Sequence, residues 1–179
     1  AYAASFSVAT SPFSGINPLY IYGNSGLGKT HLMHAIGIKM LSKNPNLKVL
    51  YVSSEMFTNE FIKSIRNKNP YDFKNKYRNV YVLLIDDVQF FENKYSVQEE
   101  VFHTSTELYD RNKQIILSGD KHPNKLILSD RLKSRFGWNM ITDIKTPDFE
   151  TRVAILQARA ELEGVEITYK INEFIEYIA

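Results

Sequence analysis

No cysteine occurs among the 179 residues. That excludes a disulfide scaffold, any thiolate metal site and a thiol nucleophile, and it suits a reducing compartment. The expected location is the cytoplasm. Long hydrophobic runs are also lacking. The longest clearly apolar run, Val80 to Ile85, falls far short of the roughly 20 residues of a spanning helix, so no membrane span is expected. The first residues, Ala-Tyr-Ala-Ala-Ser, have neither the basic region nor the apolar stretch of a signal peptide. Excess charge of one sign is missing too: 22 Lys and Arg against 20 Asp and Glu leave a formal +2. So small a surplus excludes neither a nucleic-acid nor a small-molecule partner, because only its distribution matters. No repeat, proline-rich tract or Gly/Ser linker marks an internal boundary. What is present is 44% apolar and 23% charged residues. This is the composition of one globular domain, whose length buries roughly 70% of the unfolded surface.

Short β-rich runs alternate with longer helical patterns. Leu19 to Tyr22 reads as a strand, followed by a glycine loop and a helix from about Lys29 to Leu41. A second strand is expected at Val49 to Ser53. A helix at Ser54 to Arg66 follows, with Phe57, Phe61 and Ile65 recurring every four residues. Val80 to Ile85 has the unbroken apolar character of a strand covered on both faces. Then come a helix from about Tyr95 to Tyr109, a strand at Gln114 to Ser118, a short helix near Asp130 and a strand at Asn139 to Ile144. Thr146-Pro147 signals the start of a helix over Asp148 to Leu162. The alternation predicts an α/β domain with a mainly parallel sheet. Ile171, Phe174, Ile175 and Ile178 form one face of a last amphipathic helix with no capping signal before Ala179, so a fragment of a longer chain is expected.

Gly23-Asn24-Ser25-Gly26-Leu27-Gly28-Lys29-Thr30 fits G-x-x-x-x-G-K-[ST] at every fixed position, with a strand before it and a helix after it. A loop poor in side chains lets backbone N–H groups and a helix N-terminus surround phosphate oxygens. Lys29 would then hold the β- and γ-phosphates of ATP, and Thr30 would offer its hydroxyl to Mg²⁺. The second half of such a site is an acid at the end of a buried strand, supplied by Val-Tyr-Val-Leu-Leu-Ile-Asp86-Asp87. Asp86 would hold Mg²⁺ through water or directly; Asp87 would orient or deprotonate the attacking water. The competing reading is a strand ending in a solvated Asp-Asp turn. A third polar position follows the next strand, where Ser118 or Asp120 would sense the γ-phosphate, against the alternative of Asp120 in a plain surface turn.

These segments, together with Asp130-Arg-Leu-Lys-Ser-Arg135-Phe-Gly-Trp138 and Glu150-Thr-Arg-Val-Ala-Ile-Leu, resemble the DnaA family of bacterial chromosomal replication initiators. The resemblance runs from about residue 17 to 156. It implies a three-layer P-loop NTPase core of the AAA+ type over residues 1–179, with a parallel sheet of order 5-1-4-3-2 and helices on both faces. The lid and the C-terminal duplex-reading domain would be absent. It implies slow, switch-like ATP hydrolysis to ADP, ATP-dependent homo-oligomer formation on origin DNA and duplex opening, with the replicative helicase as a further partner. By the same resemblance Asp120 is the sensor and Arg135 is the arginine finger; His31 reads as packing beside the phosphate loop and is counted with the nucleotide-binding residues.

Between Glu60 and Arg78 lie Lys63, Arg66, Lys68, Lys74, Lys76 and Arg78, with Phe61, Tyr71, Phe73 and Tyr77 interleaved. Such a mixture suits single-stranded DNA, charge for phosphates and rings for bases, or else a solvated face over core aromatics. The resemblance implies single-strand contact through Ile62 and Lys94, although Ser96 stands where the family often has a basic residue. His31 and His34, one turn apart, have no partner ligand at metal spacing. Trp138 reads as a core or interface anchor. Arg131 and Arg135, four apart, share one helix face, which suits a neighbour's γ-phosphate or an internal ion pair with Asp130 or Asp143. The rival functions are an AAA+ helicase loader or initiator-regulating ATPase, and a P-loop kinase acting on a small molecule.

Overall fold

Five strands, β1 (Leu19–Tyr22), β2 (Val49–Ser53), β3 (Val82–Asp86), β4 (Gln114–Gly119) and β5 (Met140–Asp143), form one parallel sheet in the order β2-β3-β4-β1-β5. The computed structural model describes residues 1–13 and 15–165. Read from its other edge, the order is the 5-1-4-3-2 that the resemblance implies. Every residue of β3 and β4 is buried, which accounts for the apolar runs at 82–85 and 115–117. Within β1, alternate residues serve opposite faces. Leu19 and Ile21 join Met33, Ile36, Met40, Leu84 and Ile116 in one core layer. Tyr20 joins Phe57, Tyr77, Leu83, Val101, Leu117 and Phe136 in the other.

The first layer is covered by α1 (Tyr2–Thr10) and α2 (Lys29–Lys43), the second by α3 (Ser54–Arg66), α4 (Pro70–Arg78), α5 (Tyr95–Asp110) and α6 (Asp130–Phe136). Helix α3 starts where the Ser53 hydroxyl accepts the Met56 N–H at 3.2 Å, an N-cap that turns the chain straight out of β2. Two helices escape the sequence reading. Helix α1 buries only the small Ser5, Val8 and Ala9, too narrow a stripe to stand out. Helix α4 opens on Asn69 as cap and Pro70 in its first turn, a start signal placed just after α3 ends. Strand β3 begins at Val82, two residues later than its apolar run suggests: Tyr81 is exposed and donates its N–H to the Lys48 carbonyl at 2.9 Å.

The chain divides into two compact units, Ala1–Ile144 and Lys145–Ala179. The sequence carries no linker composition at that point. The described part of the second unit holds α7 (Phe149–Leu162), capped by the Asp148 carboxylate, which accepts the Thr151 N–H at 2.9 Å. The Ile171 to Ile178 pattern lies outside the described residues.

Candidate functional site

The register aligns Ile21 with Ser118 and Ser53 with Asp86, so the C-terminal ends of β1, β3 and β4 meet at one edge of the sheet. This is where open α/β sheets bind ligands. The loop from β1 to α2 lies over that edge. A Cβ on Gly23 would come within 2.6 Å of the Ile144 carbonyl oxygen, so glycine is required there for packing beside β5. Gly26 and Gly28 have φ of +82° and +87°, and a Cβ on either would meet nothing within 4 Å. Their conformation demands glycine, and the space above them is open. Gly28 is also the N-cap of α2, whose first turn carries no acidic side chain to satisfy its free N–H groups. Together these features make an open, donor-rich cradle suited to an anion. Buried Lys29 donates to the carbonyls of Gly23 and Asn24 at 2.8 and 3.0 Å, which holds its ammonium at the mouth of the loop.

Asp86, 2% exposed at the end of β3, is the hub beneath the loop. Its Oδ2 accepts the Thr30 and Tyr51 hydroxyls, each at 2.7 Å, and its Oδ1 accepts the Ser118 hydroxyl. Burial pushes the Asp86 pKa upward, but the bonds from Ser118, Thr30 and Tyr51 and the Asp87 N–H outweigh it. The group is held below the ordinary carboxylate range and stays ionised. Tyr51 moves the other way: burial and the bond to Asp86 raise its phenol, so it remains a donor. Thr30 and Asp86 are hard oxygen groups in mutual contact, a donor set that fits Mg²⁺. Three O–H bonds occupy most of the roughly four lone-pair directions of the carboxylate, which favours contact with an ion through water.

Asp87 takes a left-handed conformation, φ 59° and ψ 52°, as the chain leaves β3 for a 3-10 turn at Val88–Phe91. Its N–H donates to the Ser118 hydroxyl at 2.9 Å, and its Oδ1 accepts the Gln89 side-chain amide at 3.0 Å. The other end of that amide accepts the Asp120 N–H at 3.2 Å. Of the two sensor candidates, Ser118 touches both Asp86 and Asp87. Asp120 is linked to Asp87 through Gln89, and its carboxylate lies 3.5 Å from Lys121. One Asp120 oxygen, Oδ1, is buried without a hydrogen-bond partner. Asp120 thus joins the strand-end network through its backbone N–H, while its carboxylate faces Lys121. Tyr51 and Gln89 are the polar groups that the sequence reading missed. A tyrosine in a strand resembles core, and only the pairing of β2 with β3 brings its hydroxyl to Asp86. Gln89 carries the fainter signal of an amide two residues after an Asp-Asp pair.

His31 is exposed in the first turn of α2, while His34 stands edge-on to the Tyr51 ring with centroids 4.4 Å apart. Arg135 lies on α6, where its guanidinium donates to the Thr106 hydroxyl at 3.0 Å and sits over the rings of Phe102, Tyr109 and Trp138. The competing reading of an internal ion pair with Asp130 or Asp143 is not what the described residues show: a hydroxyl and three rings surround the guanidinium. Trp138 is 62% exposed and so belongs to the surface rather than the core.

The basic and aromatic stretch divides. Phe73 and Tyr77 are buried, and Phe61 packs against them in the core. Lys76 pairs with Glu60, and Arg78 pairs with Glu100 and Glu107. Those rings and two of the charges are structural. Lys63, Arg66, Lys68 and Lys74 are exposed, as are Ile62 and Tyr71. Lys94 is exposed just ahead of α5, its ammonium on the Phe90 carbonyl at 2.7 Å.

A family model described as the bacterial DnaA ATPase domain matches residues 1–143. Domain III of the Thermotoga maritima replication initiation protein DnaA is similar, with a TM-score of 0.93 and 42% identity over 98% of this chain and 73% of that one. A replication initiator DnaA bound to AMPPCP and single-stranded DNA gives a TM-score of 0.88 and 35% identity, over 98% of this chain and 54% of that one. AMPPCP-bound DnaA from Aquifex aeolicus gives 0.88 and 35%, over 97% and 54%. The chain spans little more than half the length of these last two. The DnaC helicase loader, at 17% identity and a TM-score of 0.68 over 80% of this chain and 87% of that one, shares the fold. No helix among the described residues is long and apolar enough to cross a membrane.

Proposed function

The chain belongs to the bacterial DnaA ATPase domain family, and we propose that it binds ATP on the Gly23–Thr30 loop as an assembly switch and hydrolyses it slowly to reset that switch. The observation that carries this reading is the hydrogen-bonded path from Thr30 through Asp86 to Ser118 and Asp87, which ties the loop to the ends of β3 and β4. A γ-phosphate lying over Lys29 faces that path. Asp87 orients and deprotonates the attacking water, the bond from the γ-phosphorus to the β-phosphate oxygen breaks, and ADP and phosphate leave. Thr30 and Asp86 would hold Mg²⁺, which would supply neutralisation of phosphate charge. Asp120 senses the γ-phosphate. Arg135 is supplied in trans, its remaining N–H donors reaching the ATP of a neighbouring subunit.

In the longer protein this switch drives homo-oligomer formation on origin DNA and duplex opening in the cytoplasm, ahead of loading the replicative helicase. Ile62 and Lys94 contact the single strand; both are exposed, and Ile62 adjoins the exposed Lys63 and Arg66 of α3. The helicase-loader reading has support from shared fold alone.

Lys29→Ala tests the loop. The substitution removes a charged donor from two phosphates, about 3 kcal/mol, and weakens ATP and ADP binding about 100-fold. The circular dichroism spectrum should stay that of the parent, because Lys29 bonds only to loop carbonyls. Identical nucleotide titration curves for mutant and parent would remove the assignment.

A further inference from the structure

The surroundings of Arg135 are more organised than a finger awaiting a partner requires. Phe102, Thr106 and Tyr109 are spaced by four and three residues, so they form one stripe along α5. All three meet Arg135, whose guanidinium carbon lies 5.9 Å from the Phe102 ring centre and 5.2 Å from that of Tyr109. Trp138, three residues beyond, adds a third ring at 5.3 Å and itself leans on Tyr109 with centroids 6.1 Å apart. Arg131, one turn before, lies over Phe102 at 5.9 Å. Ring contacts hold a guanidinium through the π-cloud and consume none of its five N–H donors. Among the described residues, the one hydrogen-bond acceptor of the guanidinium is the Thr106 hydroxyl, 3.0 Å from one terminal nitrogen. A carboxylate there would neutralise the charge and take up a fork of donors. A hydroxyl fixes the rotation of the group and leaves its charge and its other donors free.

We propose that Thr106 is the positioning residue of Arg135, setting the orientation of a guanidinium whose location is fixed by Phe102, Tyr109 and Trp138. This rests on the reading of Arg135 as the trans-acting finger. Reaction rates depend steeply on such placement, since an error of about 1 Å can cost about 100-fold. A preset guanidinium also loses less freedom when a neighbour docks.

The test compares Thr106→Val, Thr106→Ser and Arg135→Ala in the full-length protein, assembled with ATP. Hydrolysis is followed to separate kcat from KM, with ATP titration of the monomer and thermal unfolding alongside. Thr106→Val keeps the shape and deletes the acceptor. It should lower kcat about tenfold with KM, monomer ATP affinity and unfolding midpoint unmoved, and Thr106→Ser should recover most of the loss. If Arg135→Ala is slow but Thr106→Val turns over at the parental kcat, the positioning role is wrong and the finger stands. If Arg135→Ala also turns over at the parental kcat, both fall. Equal impairment of the Val and Ser variants would show that packing of Thr106, not its hydroxyl, matters, and would overturn the inference.

Discussion

Asp87→Asn separates the fold of the site from its chemistry, because the structure predicts opposite outcomes for the two. Asp87 sits at φ 59°, ψ 52°, where most L-residues lose about 1–2 kcal/mol but Asp and Asn are tolerated. The amide keeps an oxygen that can accept the Gln89 side chain, now at 3.0 Å, and the backbone N–H still reaches Ser118 at 2.9 Å. No buried contact is deleted, so stability should stay within about 0.5 kcal/mol of the parent. ATP affinity should hold too, since Lys29, Thr30 and Asp86 are untouched. What vanishes is the basicity of a carboxylate aimed at water, a contribution of about 10²–10⁴ when it acts as full general base. The predicted fall in single-turnover phosphate release is at least about tenfold, the lower figure applying if Asp87 mainly orients water. Asp87→Ala serves as contrast: it should lose the same activity and in addition about 1 kcal/mol of stability, because alanine has no local bond to offset the left-handed backbone. Phosphate release from Asp87→Asn at the parental rate would refute the assignment and shift the role towards Asp120, whose partnerless buried oxygen makes it the next carboxylate to test.

Two further substitutions probe the scaffold. Arg78→Ala removes the guanidinium that now meets Glu100 at 2.8 Å and Glu107 at 2.5 Å with its side chain only 16% exposed, and leaves Glu107 with Arg111 and Glu100 with the Thr104 hydroxyl. The loss should be about 3 kcal/mol, read as a lower denaturant midpoint at unchanged slope, and a loss under about 1 kcal/mol would mean that the network behaves like surface ion pairs. Gly119→Ala places a Cβ 2.1 Å from the Tyr20 hydroxyl, which is itself held by the Lys121 carbonyl at 3.0 Å. It should cost about 2 kcal/mol and slow hydrolysis by shifting Ser118 and Asp120. Adding Tyr20→Phe should return part of both, and no recovery in the double variant would place the strain elsewhere.

Most of the sheet was legible because its strands announce themselves locally. Val49 to Ser53 has β-branched residues and a tyrosine, and Gln114 to Gly119 is buried throughout, so both end within a residue of where the sequence puts them. The Gly23–Thr30 loop was legible for a stronger reason. Its glycines answer to two separate demands, positive φ at Gly26 and Gly28 and close approach of the Ile144 carbonyl at Gly23, and a fixed spacing records both. The basic and aromatic stretch was ambiguous in composition, because residue type alone does not show which of Phe73, Tyr77 and Tyr71 faces inward. Only the helical phase of α4, set by Asn69 and Pro70 where α3 stops, buries the first two and exposes the third. Tyr51 and Thr106 were beyond reach for a further reason. Each acts through a partner 35 or 29 residues away, Asp86 and Arg135, across a strand pairing and a helix packing. Residues that touch ligand leave motifs because the ligand imposes the spacing. Residues that hold those residues answer only to the fold, and in this chain they surface as a tyrosine that resembles core and a threonine that resembles helix surface.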